Sequence, residues 1–468
     1  MSRRRNDGSS WGQSYHPQLR QAMSQFFPHS GLPLLSDDGR VRWTARLLAM
    51  VAIFMVWSPG HTLVDRLAEA RNAVVGIYPT RRRPGRSHEG FSKALARHGA
   101  SVLSVLADHW RCCVRQVAKG CWNEAGWVLF GVDGSLFTCP RTVANEEAFG
   151  AFGRSNGGPQ QLVTCLFHIT SGLIWCWERG AVKGNSERRQ LRQMLHQLPN
   201  HAMVLADAGF HGYDLVRLLL NQGASFILRV GGNVTLLRKL GYAVKEDRQT
   251  VYLWPLQQQG RIGSRKGAGS NPRRRTKRKT IEAPLVLRLI RLKDSKGRPV
   301  CLLTNVLEKT CLSDVAAGRM YRLRWGIEVM WRGLKQTMGH HKMLSCTPNR
   351  AAAELDWAMA GLWMLQLISV KRMVESGRLP RRYSPAESLR VLRQAMSVRR
   401  QKHRSLKKEL AEAVMDEYQR HGSKQARNNM HKRPQTPPDE PMARTATVAE
   451  RRLAQRILNH SPPNLLAA

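Results

Sequence analysis

Residues 126 to 232 constrain the fold most, because short apolar runs closed by glycine-bearing turns alternate there with amphipathic stretches. WVLFGVDGSLF (127 to 137) is rich in Val, Leu and Phe and predicts a buried strand. QLVTCLFHI (161 to 169) and LIWCWERG (173 to 180), joined by Thr170-Ser171-Gly172, predict a hairpin. SERRQLRQMLHQL (186 to 198) has helical periodicity with Ser186 as its cap, and HAMVLADAGF (201 to 210) predicts a further strand. YDLVRLLLNQG (213 to 223) predicts a helix closed by Gly223, followed by the strand SFILRVGG (225 to 232). Three strands, then helix, strand, helix, strand, describe a mixed α/β sheet with helices on its faces.

Two acids interrupt this apolar texture. Asp133 lies within the first strand and Asp207 at the end of the fourth. A lone carboxylate in an apolar strand costs several kcal/mol unless it is paired or metal-bound. The glycines beside them, Gly134 and Gly209, suit a carboxylate displayed at a sheet edge. A strand-end Asp also commonly caps a turn, so either residue alone has a structural explanation.

A third acid lies in AAGRMYRLRWGIEVMWRGLKQTMG. On a regular helix Tyr321, Arg324, Glu328 and Lys335 fall within roughly 60° of arc on one face. Leu323, Ile327, Met330, Trp331 and Leu334 supply the buried side. A phenol, a guanidinium, a carboxylate and an ammonium do not make a packing stripe. The spacing equally suits a solvated face with an ordinary Arg324–Glu328 ion pair.

Charge narrows the partner. Lys and Arg number 75 against 33 Asp and Glu, a net charge of +42 over 468 residues, and the pI is near 11.1. Such a surplus calls for a polyanion. Basic residues spread along the whole chain with no basic amphipathic anchor point to nucleic acid rather than membrane. The apolar run Leu47 to Trp57 is about half the length of a bilayer span. The opening MSRRRNDGSSWGQSYHP lacks the apolar stretch of a secretory leader, and nine cysteines without a C-x-x-C pair predict reduced thiols. A cytoplasmic location follows as an expectation.

Outside the α/β stretch, residues 1–125 read as helical, with a basic loop at 80–90, and suit either a recogniser of DNA ends or a helical scaffold. Residues 233–310 read as a β-rich insertion with candidate strands at 250–256, 283–292 and 300–307. Nine Lys or Arg and no acid fall between 261 and 279, a solvated charge run or a loop that tracks DNA. From Asp314 the texture is helical to about residue 420, and the basic tail from Ser423 contains one more helix near 447–458.

The pattern Y-x2-R-x3-E-x6-K, here Tyr321, Arg324, Glu328 and Lys335, resembles that of the DDE transposases of bacterial insertion sequences. VDGS around Asp133 and ADAGFHGYDL around Asp207 resemble the family's two aspartate blocks, in the same order and with a β-rich insertion before the Glu. The resemblance covers roughly residues 125 to 370. It implies a ribonuclease-H-like catalytic domain at 126–370, carrying the 233–310 insertion, between a helical DNA-end-binding region (1–125) and a basic helical C-terminal region (371–468). It further implies that Asp133, Asp207 and Glu328 are catalytic and ligate two Mg²⁺ ions, with Mn²⁺ able to substitute. Tyr321, Arg324 and Lys335 would bind DNA phosphates. The partners implied are double-stranded DNA, as transposon ends and target, and a second copy of the chain on paired ends. An extruded base would stack on an aromatic, Trp254 or Trp325, although both also suit a core. Glu178, Glu187, Asp214, His340 and His341 are expected to be structural, Asp214 as a helix cap. Two other readings share the fold: a DNA-binding relative without chemistry, and a nuclease that cuts but does not join.

Overall fold

The computed structural model describes residues 15–35, 42–79, 83–150, 157–243, 245–255, 282–295, 297–397, 405–415 and 439–460. The basic run at 261–279, the tail from Ser423 to 438, the first fourteen residues and part of the 80–90 loop lie outside them.

In chain order the elements are α1 (Tyr15–Ser24), α2 (Ala45–Trp57), α3 (Leu63–Ile77), α4 (His88–Val117), β1 (Val128–Thr138), α5 (Val143–Phe149), β2 (Gln160–His168) and β3 (Leu173–Ala181). Next come α6 (Glu187–Met194), β4 (Ala202–Ala206), α7 (Tyr213–Asn221), β5 (Ser225–Val230), β6 (Thr235–Arg238), β7 (Thr250–Leu253), β8 (Leu285–Lys293) and β9 (Pro299–Thr304). The chain then forms α8 (Asp314–Leu323), α9 (Trp325–Arg332), α10 (Pro348–Glu375), α11 (Pro385–Met396), α12 (Leu406–Glu412), β10 (Met442–Thr445) and α13 (Val448–His460). The succession β1-β2-β3-α6-β4-α7-β5 is the order read from the sequence, with α5 as an addition after β1.

The chain divides into two units, residues 1–124, 133–190 and 325–419 in the first and 125–132, 191–324 and 420–468 in the second. β1 and α6 therefore each contribute to both.

In the first unit, α2 is buried along almost its whole length because ARLLAMVAIFMVW has no polar face after Arg46. It packs against α3, α4 and α10. Gly361 of α10 lets α2 approach so closely that an added β-carbon would lie 2.6 Å from Val56. The buried indole N–H of Trp57 donates to the Gly361 carbonyl at 2.9 Å. The N-terminal ends are capped by Thr44, by a Thr62–Asp65 capping box and by Ser87. β2 and β3 form the expected antiparallel hairpin, Gln161 opposite Ala181. Arg179 and Trp177 of β3 both donate to Asp356 of α10, at 2.7 and 3.1 Å.

In the second unit the first residues of β1 run parallel to β4, from Val128 opposite Ala202 to Gly131 opposite Leu205, and β4 runs parallel to β5. β9 and β8 continue antiparallel, then β7 and β6. The expected strands of the insertion are thus present as β7, β8 and β9. β6 and β10 were not legible in the sequence, and β10 pairs in parallel with β6.

One expectation is corrected. The segment 314 to 338 is not one regular helix: α8 ends at Leu323, Arg324 is a turn, α9 begins at Trp325, and Gly333–Thr337 is a π turn. Gly326 lies against Phe167, and Gly333 against Pro385, where an added β-carbon would be 3.4 and 3.2 Å from the neighbour. With the helix interrupted, the 60° arc calculated for an unbroken helix does not apply to Lys335.

Candidate active site

Asp133 stands two residues beyond Gly131, the last residue of β1 paired with β4. The strand is fully buried through Val132, and from Asp133 to Leu136 it becomes partly exposed. Asp207 follows Ala206 directly, at the end of β4. Its Oδ1 accepts the Gly209 amide at 2.8 Å, so the turn fixes the carboxylate while leaving its second oxygen for a ligand. Glu328 is partly exposed in the first turn of α9, where helix N–H groups favour an anion.

Within the first unit, Asp133 and Lys335 belong together. Burial pushes the Lys335 ammonium below its ordinary range, and the Asp133 carboxylate opposes that shift. Lys335 Nζ also lies 4.8 Å from the centre of the Phe137 ring, which meets Trp331 edge-on at 5.9 Å. Asp133 and Phe137 are four residues apart on β1 and share its face. The ammonium is thereby held on the face that bears Asp133.

Within the second unit, Asp207, Tyr321, Arg324 and Arg229 interact. Burial pushes the Tyr321 phenol up; the Arg324 and Arg229 guanidiniums pull it down, and the Asp207 carboxylate pushes it up. The Arg324 guanidinium stacks over the Tyr321 ring at 5.8 Å. Tyr321 and Arg324 are partly exposed, so neither is sealed into core.

Two neighbours escaped the sequence reading. Arg229, on β5, carries no motif. Glu187 was set aside as structural, yet a β-carbon added at Gly134 would fall on the Glu187 carboxylate. Gln190, one turn further along α6, fixes this approach by accepting from Thr164 at 2.6 Å and donating to the Leu162 carbonyl at 2.9 Å. Glycine inside a strand marks such close approaches, and Gly134 beside Asp133 was the available signal. Gly134→Ala is expected to displace Glu187 or the strand bearing Asp133 and to lower DNA cleavage about a hundredfold. Duplex binding should be preserved; cleavage at the parental rate would show that the approach is irrelevant to catalysis.

Other residues take structural places. Trp254 is 1% exposed and donates its indole N–H to the Glu282 carbonyl, which removes it as a stacking platform, whereas Trp325 is 55% exposed. His340 is buried, its Nε2 bound to the Val56 carbonyl and its pKa pushed down to about 4 by burial. Asp214 does not cap α7; it faces Arg192 at 3.9 Å.

As ligands for a divalent ion, Asp133, Asp207 and Glu328 fit by donor type, since hard cations prefer carboxylate oxygens. Among the described residues, no three His, Cys, Asp or Glu are gathered as a preformed metal cluster. Also among the described residues, no helix is long and apolar enough to cross a membrane.

Residues 131–365 match the family model described as a transposase DDE domain. The chain belongs to the DDE transposase family. Among individual relatives, it is 26% identical over 397 residues to the transposase InsG of insertion sequence element IS4 from Escherichia coli (strain K12), covering 78% of this chain and 80% of that protein. Among solved structures, a piggyBac transposase synaptic complex with hairpin DNA is similar at a TM-score of 0.40 and 11% identity, over 89% of this chain and 84% of that one. Transposases of this family use divalent metal ions.

Proposed function

We propose that the chain cuts DNA at the ends of its own element and joins those ends to target DNA, using Asp133, Asp207 and Glu328 to hold two Mg²⁺ ions. The observation that carries this reading is the company each strand acid keeps. Asp207 and Arg324 both lie close enough to Tyr321 to act on its phenol, and Asp133 close enough to Lys335 to act on its ammonium, so each acid has a residue of the Y-x2-R-x3-E-x6-K pattern near it.

The bound ions would supply an activated water or 3′-hydroxyl and stabilise the leaving oxygen. Everything else falls to the protein. The Gly209 amide fixes the orientation of Asp207. The Arg324 guanidinium, stacked on Tyr321, grips a terminal phosphate in two-point fashion, with Arg229 adding charge beside it. Lys335, seated on Phe137, adds a point charge next to Asp133. Exposed Trp325 offers a surface on which an extruded base can stack. Residues 1–125 supply recognition of the ends, and a second copy of the chain pairs them, in the cytoplasm.

Purified protein incubated with DNA carrying its own flanking sequences and Mg²⁺ should give nicks at the element's ends, then joined products. Uncut DNA would overturn the reading; cutting without joining would favour a hydrolytic nuclease. Lys335→Ala is expected to slow end processing about 10- to 100-fold while the concentration of Mg²⁺ giving half-maximal rate moves little. A large shift in that concentration with an unchanged maximal rate would assign Lys335 to the metal instead.

A further inference from the structure

In the helical part of the first unit, far along the chain from the proposed site residues, α1 and α2 each pack against α3 and leave an open cleft. Its wall carries Arg20, Gln21 and Ser24 of α1, Thr44 and Arg46 at the start of α2, and Tyr78 just past the end of α3. No Asp or Glu lines it, and neither α1 nor α2 contains one. The two acids of α3 lie in its first half and are engaged there. Asp65 closes the capping box with Thr62, and Glu69 accepts from the Ser58 hydroxyl.

The cleft therefore holds positive charge that nothing beside it cancels. Among the described residues, neither the Arg20 nor the Arg46 guanidinium has an ion pair or a hydrogen bond. Arg46 is partly exposed and held over the buried Phe27 ring, 5.3 Å from its centre, so its position is fixed by a ring rather than by an anion. Arg20 is exposed. The start of α2 has no acid in its first turn, and the beginning of a helix favours an anion.

Tyr78 supplies a second, independent sign. Its hydroxyl is buried and has no hydrogen-bond partner. Burial pushes its pKa up to about 12, and the charges opposing that shift are those of Arg46 and Arg20, which places both guanidiniums near the phenol oxygen. The hydroxyl stays protonated and is a donor left unused. A buried polar group without a partner is costly, and a bound oxyanion would relieve it.

We propose that this cleft seats a backbone phosphate of duplex DNA, gripped by the Arg20 and Arg46 guanidiniums and accepting a hydrogen bond from the Tyr78 hydroxyl, so that the N-terminal helices are anchored without reading bases. Guanidiniums suit this task because they bind phosphate oxygens in two-point fashion. The proposal takes its polyanion from the transposase reading but does not depend on the metal site.

The test uses the full chain and a fluorescent duplex of arbitrary sequence, with binding measured by anisotropy across a salt series. Replacing Arg20 and Arg46 together by Gln should make the slope of log affinity against log salt shallower by about 1, the contribution of one phosphate. Tyr78→Phe should weaken binding about 10-fold, the worth of a hydrogen bond to a charged group, with the slope unchanged because no charge is lost. Its thermal midpoint should stay level or rise, since an unsatisfied buried hydroxyl is removed, so misfolding cannot mimic the loss. Parental slope in the double variant together with parental affinity in Tyr78→Phe would overturn the proposal. So would a thermal midpoint raised by inorganic phosphate in the parent alone, with duplex affinity equal in all variants, which would assign the cleft to a free anion. Asp207→Asn should bind the duplex as the parent does, so cutting by that variant would refute the catalytic site and leave the cleft result standing.

Discussion

Asp207→Asn is expected to reduce metal-dependent cleavage of transposon-end DNA by about a thousandfold or more, with duplex binding unchanged within about twofold. The amide has the size of the carboxylate, and its Oδ1 can still accept the Gly209 amide, so the turn after β4 is retained. The negative charge is lost. The carboxylate holds the divalent ion, which would stabilise developing charge by several kcal/mol, and about 4 kcal/mol corresponds to a thousandfold in rate. Asp133→Asn and Glu328→Gln should behave alike, because the proposed chemistry treats the three carboxylates as one set. Single-turnover cleavage with anisotropy on the same preparations separates the two effects. Full cutting by Asp207→Asn would remove that residue from the site, and loss of binding together with cutting would mark it as structural.

Gly361→Val is expected to destabilise the first unit by about 3 kcal/mol, near the top of the usual range for overpacking. The new β-carbon would lie 2.6 Å from Val56 Cβ and Cγ1, and both helices are buried at that level, so neither side chain can swing into solvent. The Trp57 indole, which donates to the Gly361 carbonyl, would lose its geometry as well. Replacing glycine within a helix returns only a few tenths of a kcal/mol through propensity, too little to offset the clash. The thermal midpoint should fall by about 6–12 °C. An unchanged midpoint by calorimetry would mean that α2 and α10 separate at little cost.

Strands β1 to β5 were legible because a strand covered on both faces needs a continuous apolar run, and each has one. β6 and β10 were not. TLLR and MART are too short to show periodicity, and β10 is a strand by virtue of the β6 edge beside it. α5 carries two acids and an asparagine in seven residues and reads as loop until Thr142 caps it. The break at Arg324 and the π turn at Gly333 carry no spacing signal, and the nearest atoms to Gly326 and Gly333 come from Phe167 and Pro385, distant in sequence.

The six candidate site residues came from chain-local signals: an acid in an apolar run, and a phenol, a guanidinium, a carboxylate and an ammonium at fixed offsets. Such signals depend only on neighbours along the chain, so the sequence by itself nominated the candidate residues and the strands that bear Asp133 and lead into Asp207. Tertiary structure alone decided that Lys335 rests on Phe137, that the Arg229 charge acts on Tyr321, that Glu187 fills the space beside Gly134, and that Trp254 is core while Trp325 faces solvent. The reason is physical: burial, ring contacts and close backbone approaches arise between residues far apart in the chain, and no spacing rule records them.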